Sequence, residues 1–287
     1  MKIAVTSASG KLGASIVKHL VNLIGKDNVI GIARTPEKAA HLGVEIRKGD
    51  YNSREQFDAV LSGIDAVLLV SGMDTPDKRI VQHRNVIEAA KQNGVKKIVY
   101  TSIVGAEENN AFSPIVQTNR QTEKDIQNSG LEWVIGRNGI YIEPDLEYID
   151  TYVKEGEIRN CAADGKCTYT SREELGYAYA KMLTEEKHNN HIYNLVGNAI
   201  TQKQLAEDIN TVFNTNLVFK NESVEAYKAE RIEALGDFMG TVIAGIYEGI
   251  KEGANDVPSD FETVTGRPHL SAIEMMEAFR KAETENK

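Results

Sequence analysis

The chain has 287 residues, 41% of them hydrophobic and 26% charged, with a formal charge of −9. That apolar content excludes disorder, and 23 Gly with 6 Pro are too few for a collagen-like or low-complexity chain, which leaves a folded protein of one large domain or two smaller ones. Its 42 Asp and Glu against 33 Lys and Arg repel polyanions, so a nucleic-acid partner would need a basic patch; the longest basic cluster, Lys96-Lys97, reads only as decoration at a strand entry.

The chain starts directly on a strand pattern, Met1-Lys2-Ile3-Ala4-Val5, with neither the basic segment nor the apolar core of a signal peptide. No run approaches the ~18 apolar residues of a membrane span. A cytoplasmic protein is therefore expected. Short β-branched runs at residues 2–6, 29–33, 44–48, 66–70, 97–101 and 132–136 alternate with helical patterns near 11–24, 36–42, 53–61, 77–92 and 115–129. Runs such as Ala66-Val67-Leu68-Leu69-Val70 are apolar on both faces, as in a parallel sheet covered by helices on each side. The expected fold is a doubly wound parallel α/β sheet over residues 1–140, with residues 132–136 as its last strand and ligands at the carboxyl ends of the strands.

After residue 140 the rhythm breaks. Residues 141–156 are mixed, 171–185 read as a helix and 191–195 as a strand. Residues 201–213 read as a helix with Thr201 as N-cap and Gln204 as its capping-box partner. The tail is helical, at 224–235 and 271–282. Residues 141–287 are expected to form a smaller, mostly helical lobe that packs on the sheet, selects substrate and is not an independent domain.

The loop after the first strand reads Thr6-Ser7-Ala8-Ser9-Gly10-Lys11-Leu12-Gly13. A tight strand–turn–helix places backbone N–H groups and the positive helix end where a pyrophosphate can sit, so this loop predicts dinucleotide binding. Two of the three glycines of a GxxGxxG pattern are present. Ser7 holds the first place, where Gly suits a positive φ better. At the end of strand two, where an NAD-selecting site usually carries Asp or Glu, stands Arg34, whose guanidinium matches a 2′-phosphate; NADPH is therefore expected over NADH. Asp50 and Tyr51 follow strand three, Ser71 and Gly72 follow strand four, and Thr101 and Ser102 end strand five. Together they read as one cleft.

Short-chain dehydrogenases activate a Tyr through a Lys one helical turn later. The corresponding helix instead reads Gln117-Thr118-Asn119-Arg120-Gln121-Thr122-Glu123-Lys124, which disfavours alcohol–ketone chemistry by that route and disfavours an isomerase or epimerase with it. Cys161 and Cys167 match no metal set and read as ordinary thiols, and no metal ligation is expected from the six His. After strand six, Asn138 is placed to hydrogen-bond a carboxamide or an acceptor oxygen, and Tyr141 to stack on a planar substrate. A turn with Arg137 in a structural ion pair is the equal alternative.

With Tyr100-Thr101-Ser102, Thr122-Glu123-Lys124, Arg137-Asn138-Gly139, Ser171-Arg172-Glu173-Glu174-Leu175 and Tyr193-Asn194-Leu195-Val196-Gly197, these residues resemble the NmrA-like atypical short-chain dehydrogenases, and within them the bacterial NAD(P)H:quinone oxidoreductase type 2 branch. The resemblance covers residues 1–215. Asn119 stands where those reductases tend to carry His. The resemblance implies a Rossmann domain that binds NADPH and a C-terminal substrate pocket. It also implies hydride transfer to a quinone, whose reduced oxygens take protons from water. It equally implies a rival of another class, an NADP(H)-binding redox sensor without turnover. The acceptor is expected to be a small molecule, and self-association into a homo-oligomer stays open.

Overall fold

The computed structural model describes residues 1–285. Its first half contains β1 (Ile3–Val5), β2 (Val29–Ala33), β3 (Glu45–Lys48), β4 (Ala66–Leu69), β5 (Lys97–Ile103) and β6 (Glu132–Asn138). Between them run α1 (Lys11–Ile24), α2 (Arg54–Val60), α3 (Pro76–Gln92) and α4 (Ser113–Gln127). The helical pattern near 36–42 is a 3-10 segment, Pro36–Leu42, begun by its proline and closed by Gly43 in the left-handed region.

The second half contains β7 (Ile140–Tyr141), α5 (Glu143–Glu147), α6 (Ile149–Glu155), β8 (Glu157–Asn160), β9 (Lys166–Thr170), α7 (Arg172–Thr184) and β10 (His191–Leu195). It continues through β11 (Ala199–Thr201), α8 (Gln202–Phe213), β12 (Val218–Asn221), α9 (Val224–Leu235), α10 (Asp237–Lys251), α11 (Phe261–Thr265) and α12 (Ala272–Glu285).

The central sheet is parallel, in the order β10-β6-β5-β4-β1-β2-β3. This is a Rossmann-like doubly wound sheet. One expectation is corrected: β6 is not the last strand, because β10 adds a seventh beside it. The chain leaves the sheet after β6, builds part of the lobe, and returns through α7, so neighbours in the sheet are far apart in sequence. A division at residue 140 therefore leaves one sheet strand, β10, and the covering helices α7 and α11 on the C-terminal side.

Three layers follow from the periodicities. On one face α1 buries Leu12, Ile16, Val17 and Leu20 against Leu175, Ala178, Tyr179 and Met182 of α7. On the other, Phe57 of α2, Val86 and Ile87 of α3 and Ile126 of α4 cover the strands. At about 1.5–3 kcal/mol for each fully buried large side chain, α1 is anchored firmly enough to tolerate strain in the loop that precedes it.

The lobe holds a three-stranded sheet (β11-β9-β7) and a two-stranded one (β12-β8). Its core gathers Ile142, Leu146, Tyr169, Leu205, Ile250 and Met276. Thr201 caps α8 by accepting from the Gln204 N–H at 3.1 Å, but the Gln204 side chain turns to Asp208 Oδ1 (2.9 Å), so the box is half formed. Lys97 is corrected too. It is a buried side chain whose Nζ donates to the Glu185 carbonyl at the C-terminus of α7 (3.0 Å), and burial pulls its pKa to about 8. Among the described residues no helix is long and apolar enough to cross a membrane.

Candidate functional site

Strand order reverses between β1 and β4: the chain builds β1, β2 and β3 to one side and returns to start β4 on the other. A crevice for ligand lies at such a switch point, outside the carboxyl ends of the strands. Its floor is a closed hydrogen-bond circuit. Thr6 Oγ1 accepts from the Val70 N–H (2.9 Å) and lies 2.5 Å from Tyr51 Oη, which donates to the Val70 carbonyl (2.7 Å) and accepts from Ser7 Oγ (3.2 Å). Tyr51 thus ties the loop after β3 to the first and fourth strands. Burial of its ring pushes the hydroxyl up to about 12, so it stays protonated and holds the floor together.

The loop above this floor turns at Ser7, whose φ is +51°, and the Ser7 carbonyl accepts from the Gly10 N–H at 2.9 Å. The serine therefore occupies the conformation for which the pattern prefers glycine. Gly13 fits because a Cβ there would lie 2.3 Å from the Ser7 carbonyl oxygen. Gly10 is the N-cap of α1. No side chain caps this terminus and no acidic residue stands in its first turn, so its amide groups and the helix dipole are available to an anion. Ser9, Gly10 and Lys11 are exposed, while Leu12 is buried under the loop. Lys11 itself pairs with Glu147 of α5 (2.6 Å), bridging the helix start to the lobe.

Arg34 is exposed where β2 ends, and it makes no hydrogen bond or ion pair among the described residues. Asp50 closes a local turn by accepting from the N–H and side chain of Asn52 (2.9 and 3.0 Å). Ser71 and Gly72 lie at the crevice, each held from below: the Ser71 N–H donates to Thr101 Oγ1 (2.8 Å) and the Gly72 N–H to His83 Nε2 (3.0 Å). Thr101 and Ser102 are buried. Ser102 Oγ donates to Glu123 (2.6 Å), whose carboxylate also takes Arg120 (2.8 Å) and both arms of Arg137 (3.0 and 2.7 Å). The crevice thus brings together Thr6, Ser7, Tyr51, Ser71 and Gly72, while Asp50, Thr101 and Ser102 serve its frame.

Asn138, the last residue of β6, and Tyr141 of β7 lie side by side. Asn138 Nδ2 donates to Tyr141 Oη (3.0 Å), and Asn138 Oδ1 accepts from Tyr179 (2.6 Å). The Arg172 guanidinium lies 5.4 Å over the Tyr141 ring. Burial raises the Tyr141 pKa, so this group is a hydrogen-bonding phenol and not a phenolate.

A polar cluster under the crevice escaped sequence reading. Asn119 Oδ1 accepts from Tyr100 Oη (2.7 Å) and Ser71 Oγ (3.1 Å), with Arg79 Nη2 at 3.5 Å. Asn119 Nδ2 donates to the Ile115 carbonyl. Beside it, His83 Nδ1 donates to Thr122 Oγ1 (2.9 Å), since the Thr122 hydroxyl is spent on the Thr118 carbonyl and His83 Nε2 accepts from Gly72. The available signal was periodicity. Arg79, Gln82 and His83 continue the buried stripe of Val86, Ile87 and Ala90 on α3.

A family profile described as NAD(P)H-binding matches residues 7–186. The quinone oxidoreductase 2 of Escherichia coli is 32% identical over 281 residues, 95% of this chain and 96% of its own length. The triphenylmethane reductase of a Citrobacter species, solved with NADP(H), superposes with a TM-score of 0.89 at 32% identity and covers 98% of this chain and 100% of its own. An NAD(P)H azoreductase of Xenophilus azovorans is 26% identical over 98% of both chains. The open helix terminus, the reversal of strand order and these likenesses agree, and the chain belongs to the NAD(P)H-binding family as one of its NmrA-like oxidoreductases.

Proposed function

We propose that this oxidoreductase uses NADPH in preference to NADH and passes hydride to a quinone or a similar planar acceptor without a Tyr–Lys pair. The observation that carries the reading is the state of Asn119. It stands in α4, where the short-chain dehydrogenases place a tyrosine, and its oxygen already accepts from Tyr100 and Ser71. The helix therefore offers the crevice no acid. An alcohol–ketone reaction needs one, whereas a quinone reduced by two electrons takes its proton from water to give the hydroquinone. NADPH, when bound, supplies the hydride from C4 of its nicotinamide.

The chain's own residues bind and orient. The Ser9–Lys11 amides at the start of α1 hold the pyrophosphate, Arg34 the 2′-phosphate, and Asn138 with Tyr141 the ring end. Residues 141–287 close one side of the crevice and select the acceptor; the Lys11–Glu147 pair supports that placement. Relatives named for quinone, triphenylmethane dye and azo acceptors support a flat conjugated acceptor over a small alcohol.

The test is a fluorescence titration with NADPH and NADH, then NADPH oxidation against a panel of benzoquinone, naphthoquinone, an azo dye and a triphenylmethane dye. Tighter NADPH binding and steady oxidation with a quinone are expected. Binding with no acceptor-dependent oxidation would replace this reading with the redox sensor.

A further inference from the structure

Arg79 is 4% exposed, and its surroundings hold no negative charge. Its Nη2 donates to Ser71 Oγ at 2.6 Å, and its Nε has no hydrogen-bond partner. The neighbours are neutral. Burial and the adjacent guanidinium hold His83 down to about 3, and burial pushes Tyr100 up to about 12. The buried carboxylate of Glu123 is consumed by Arg120, Arg137 and Ser102. Among the described residues no carboxylate forms an ion pair with Arg79. A buried charge without a countercharge is costly, and breaking such a site's pairing is what usually destabilises a protein.

Ser71 gives that charge a route out. It opens the loop after β4, at the reversal of strand order, and it is only half-buried. Its hydroxyl donates to Asn119 Oδ1 (3.1 Å), an oxygen that Tyr100 also serves (2.7 Å), so its proton can turn to an occupant without leaving Asn119 unpaired, and accepting from Arg79 makes it a stronger donor there. We infer that Arg79 and Ser71 together hold an anionic oxygen of the crevice's occupant, with Arg79 as its countercharge. That oxygen belongs either to a phosphate of the dinucleotide or to the phenolate left on a quinone when hydride has arrived but the proton has not. The second source rests on the function proposed above. The site also differs from the one at α1: there the donors are backbone amides, here a buried side-chain cation.

The experiment titrates wild type, Arg79→Met and Arg79→Lys with NADP+, then with 4-nitrophenol at saturating NADP+, reading its ionisation by absorbance. Wild type is expected to bind 4-nitrophenol as the phenolate below its solution pKa, or to bind NADP+ about tenfold or more tightly than Arg79→Met, with Arg79→Lys retaining most of the effect. Weakened NADP+ assigns the oxygen to the dinucleotide. Lost phenolate with NADP+ intact assigns it to the acceptor. Titrations with both ligands that do not change in Arg79→Met overturn the proposal. If circular dichroism shows that Arg79→Met does not fold, Ser71→Ala takes its place under the same criteria. None of these readings needs turnover, so a wild type that oxidises NADPH with no quinone refutes the quinone function and leaves the anion site to its own result.

Discussion

Beneath the crevice, α3 and α4 bury His83 and Arg79, whereas in the lobe α5 buries Asp145 among tyrosines. Asp145 is buried, and Tyr152 donates to its Oδ1 at 2.8 Å. Burial pushes its carboxyl up to about 6, against the lowering effect of the Tyr152 and Tyr169 hydroxyls. The same desolvation therefore acts with opposite sign in the two regions, suppressing the charge of a base in one and of an acid in the other. What differs is completion. Asp145 can discharge itself by keeping a proton, and hydroxyls supply its remaining bonds. Arg79 cannot lose its charge at neutral pH, so the crevice stays electrically open and the lobe closed. That asymmetry marks the crevice, and not the buried acid of the lobe, as the side that waits for a ligand.

The largest expected effect breaks the crevice and spares the lobe. In Gly13→Val the new Cβ meets the Ser7 carbonyl oxygen at 2.3 Å, and neither backbone segment can yield without moving α1 from the sheet. The cost is expected to be about 3 kcal/mol or more in urea unfolding, with nucleotide binding lost. Gly10→Val separates packing from binding. Its Cβ would stand 3.2 Å from the same oxygen on an exposed cap, so stability should change by less than about 1 kcal/mol while NADPH affinity falls. Equal affinity in both variants and wild type would remove the loop from the site.

Next in size is Arg34→Asp. Apart from a weak attraction to the exposed Asp74 carboxylate, this exposed guanidinium loses only its interaction with a ligand phosphate, worth roughly 1.5–3 kcal/mol for a charge-assisted bond. NADPH should bind about ten- to a hundredfold more weakly, while NADH and the melting temperature hold. A parallel loss of NADH affinity would take Arg34 out of the 2′-phosphate site.

The two buried clusters can be set against each other by pH. His83 titrates near 3 in the fold and near 6.5 when unfolded, so between those values the unfolded chain binds the extra proton and stability falls as pH drops. Asp145 titrates near 6 in the fold and near 3.8 when unfolded, so there the native state holds the extra proton and stability falls as pH rises from about 4 to 6. Each slope is at most about 1.4 kcal/mol per pH unit, and the two largely cancel between pH 4 and 6. His83→Gln should therefore make the protein relatively more stable at pH 4 than at pH 6, and Asp145→Asn the reverse. Melting temperatures at the two pH values decide, and like signs in both variants would contradict the assignment of opposite burial effects.

The comparison also explains what could be read in advance. The strands at residues 29–33 and 66–70 and helix α1 were legible because their patterns are local: apolar runs on both faces, and Leu12, Ile16, Val17 and Leu20 on one stripe. Arg34 and the α1 terminus were legible because a strand end and a cap are defined by a few adjacent residues. β10 was read as a strand but not as part of this sheet, since its partner β6 lies across residues 139–190. Arg79, His83 and Asn119 were hidden for a related reason. Their meaning comes from Ser71, Gly72, Tyr100 and Thr122, which only the folded sheet brings near. Tyr51 was singled out by its position after β3. Its use as a strut under Thr6 and Val70 needed three strand ends at once.

The smallest effect concerns Ser7, where sequence and conformation disagree. An L-residue in the left-handed region pays roughly 1–2 kcal/mol, which glycine avoids. Ser7→Gly recovers part of that but loses the hydroxyl's bond to Tyr51 at 3.2 Å and adds backbone freedom to the unfolded chain. The three terms nearly cancel, so unfolding free energy should move by less than about 1 kcal/mol. Nucleotide affinity should hold as well, because the proposed site offers the anion amides of the loop and not this side chain. A loss of several-fold in NADPH affinity would mean instead that the Ser7 hydroxyl, by bracing Tyr51 against Val70, fixes the height of the crevice floor, and that the loop depends on its side chain as much as on its backbone.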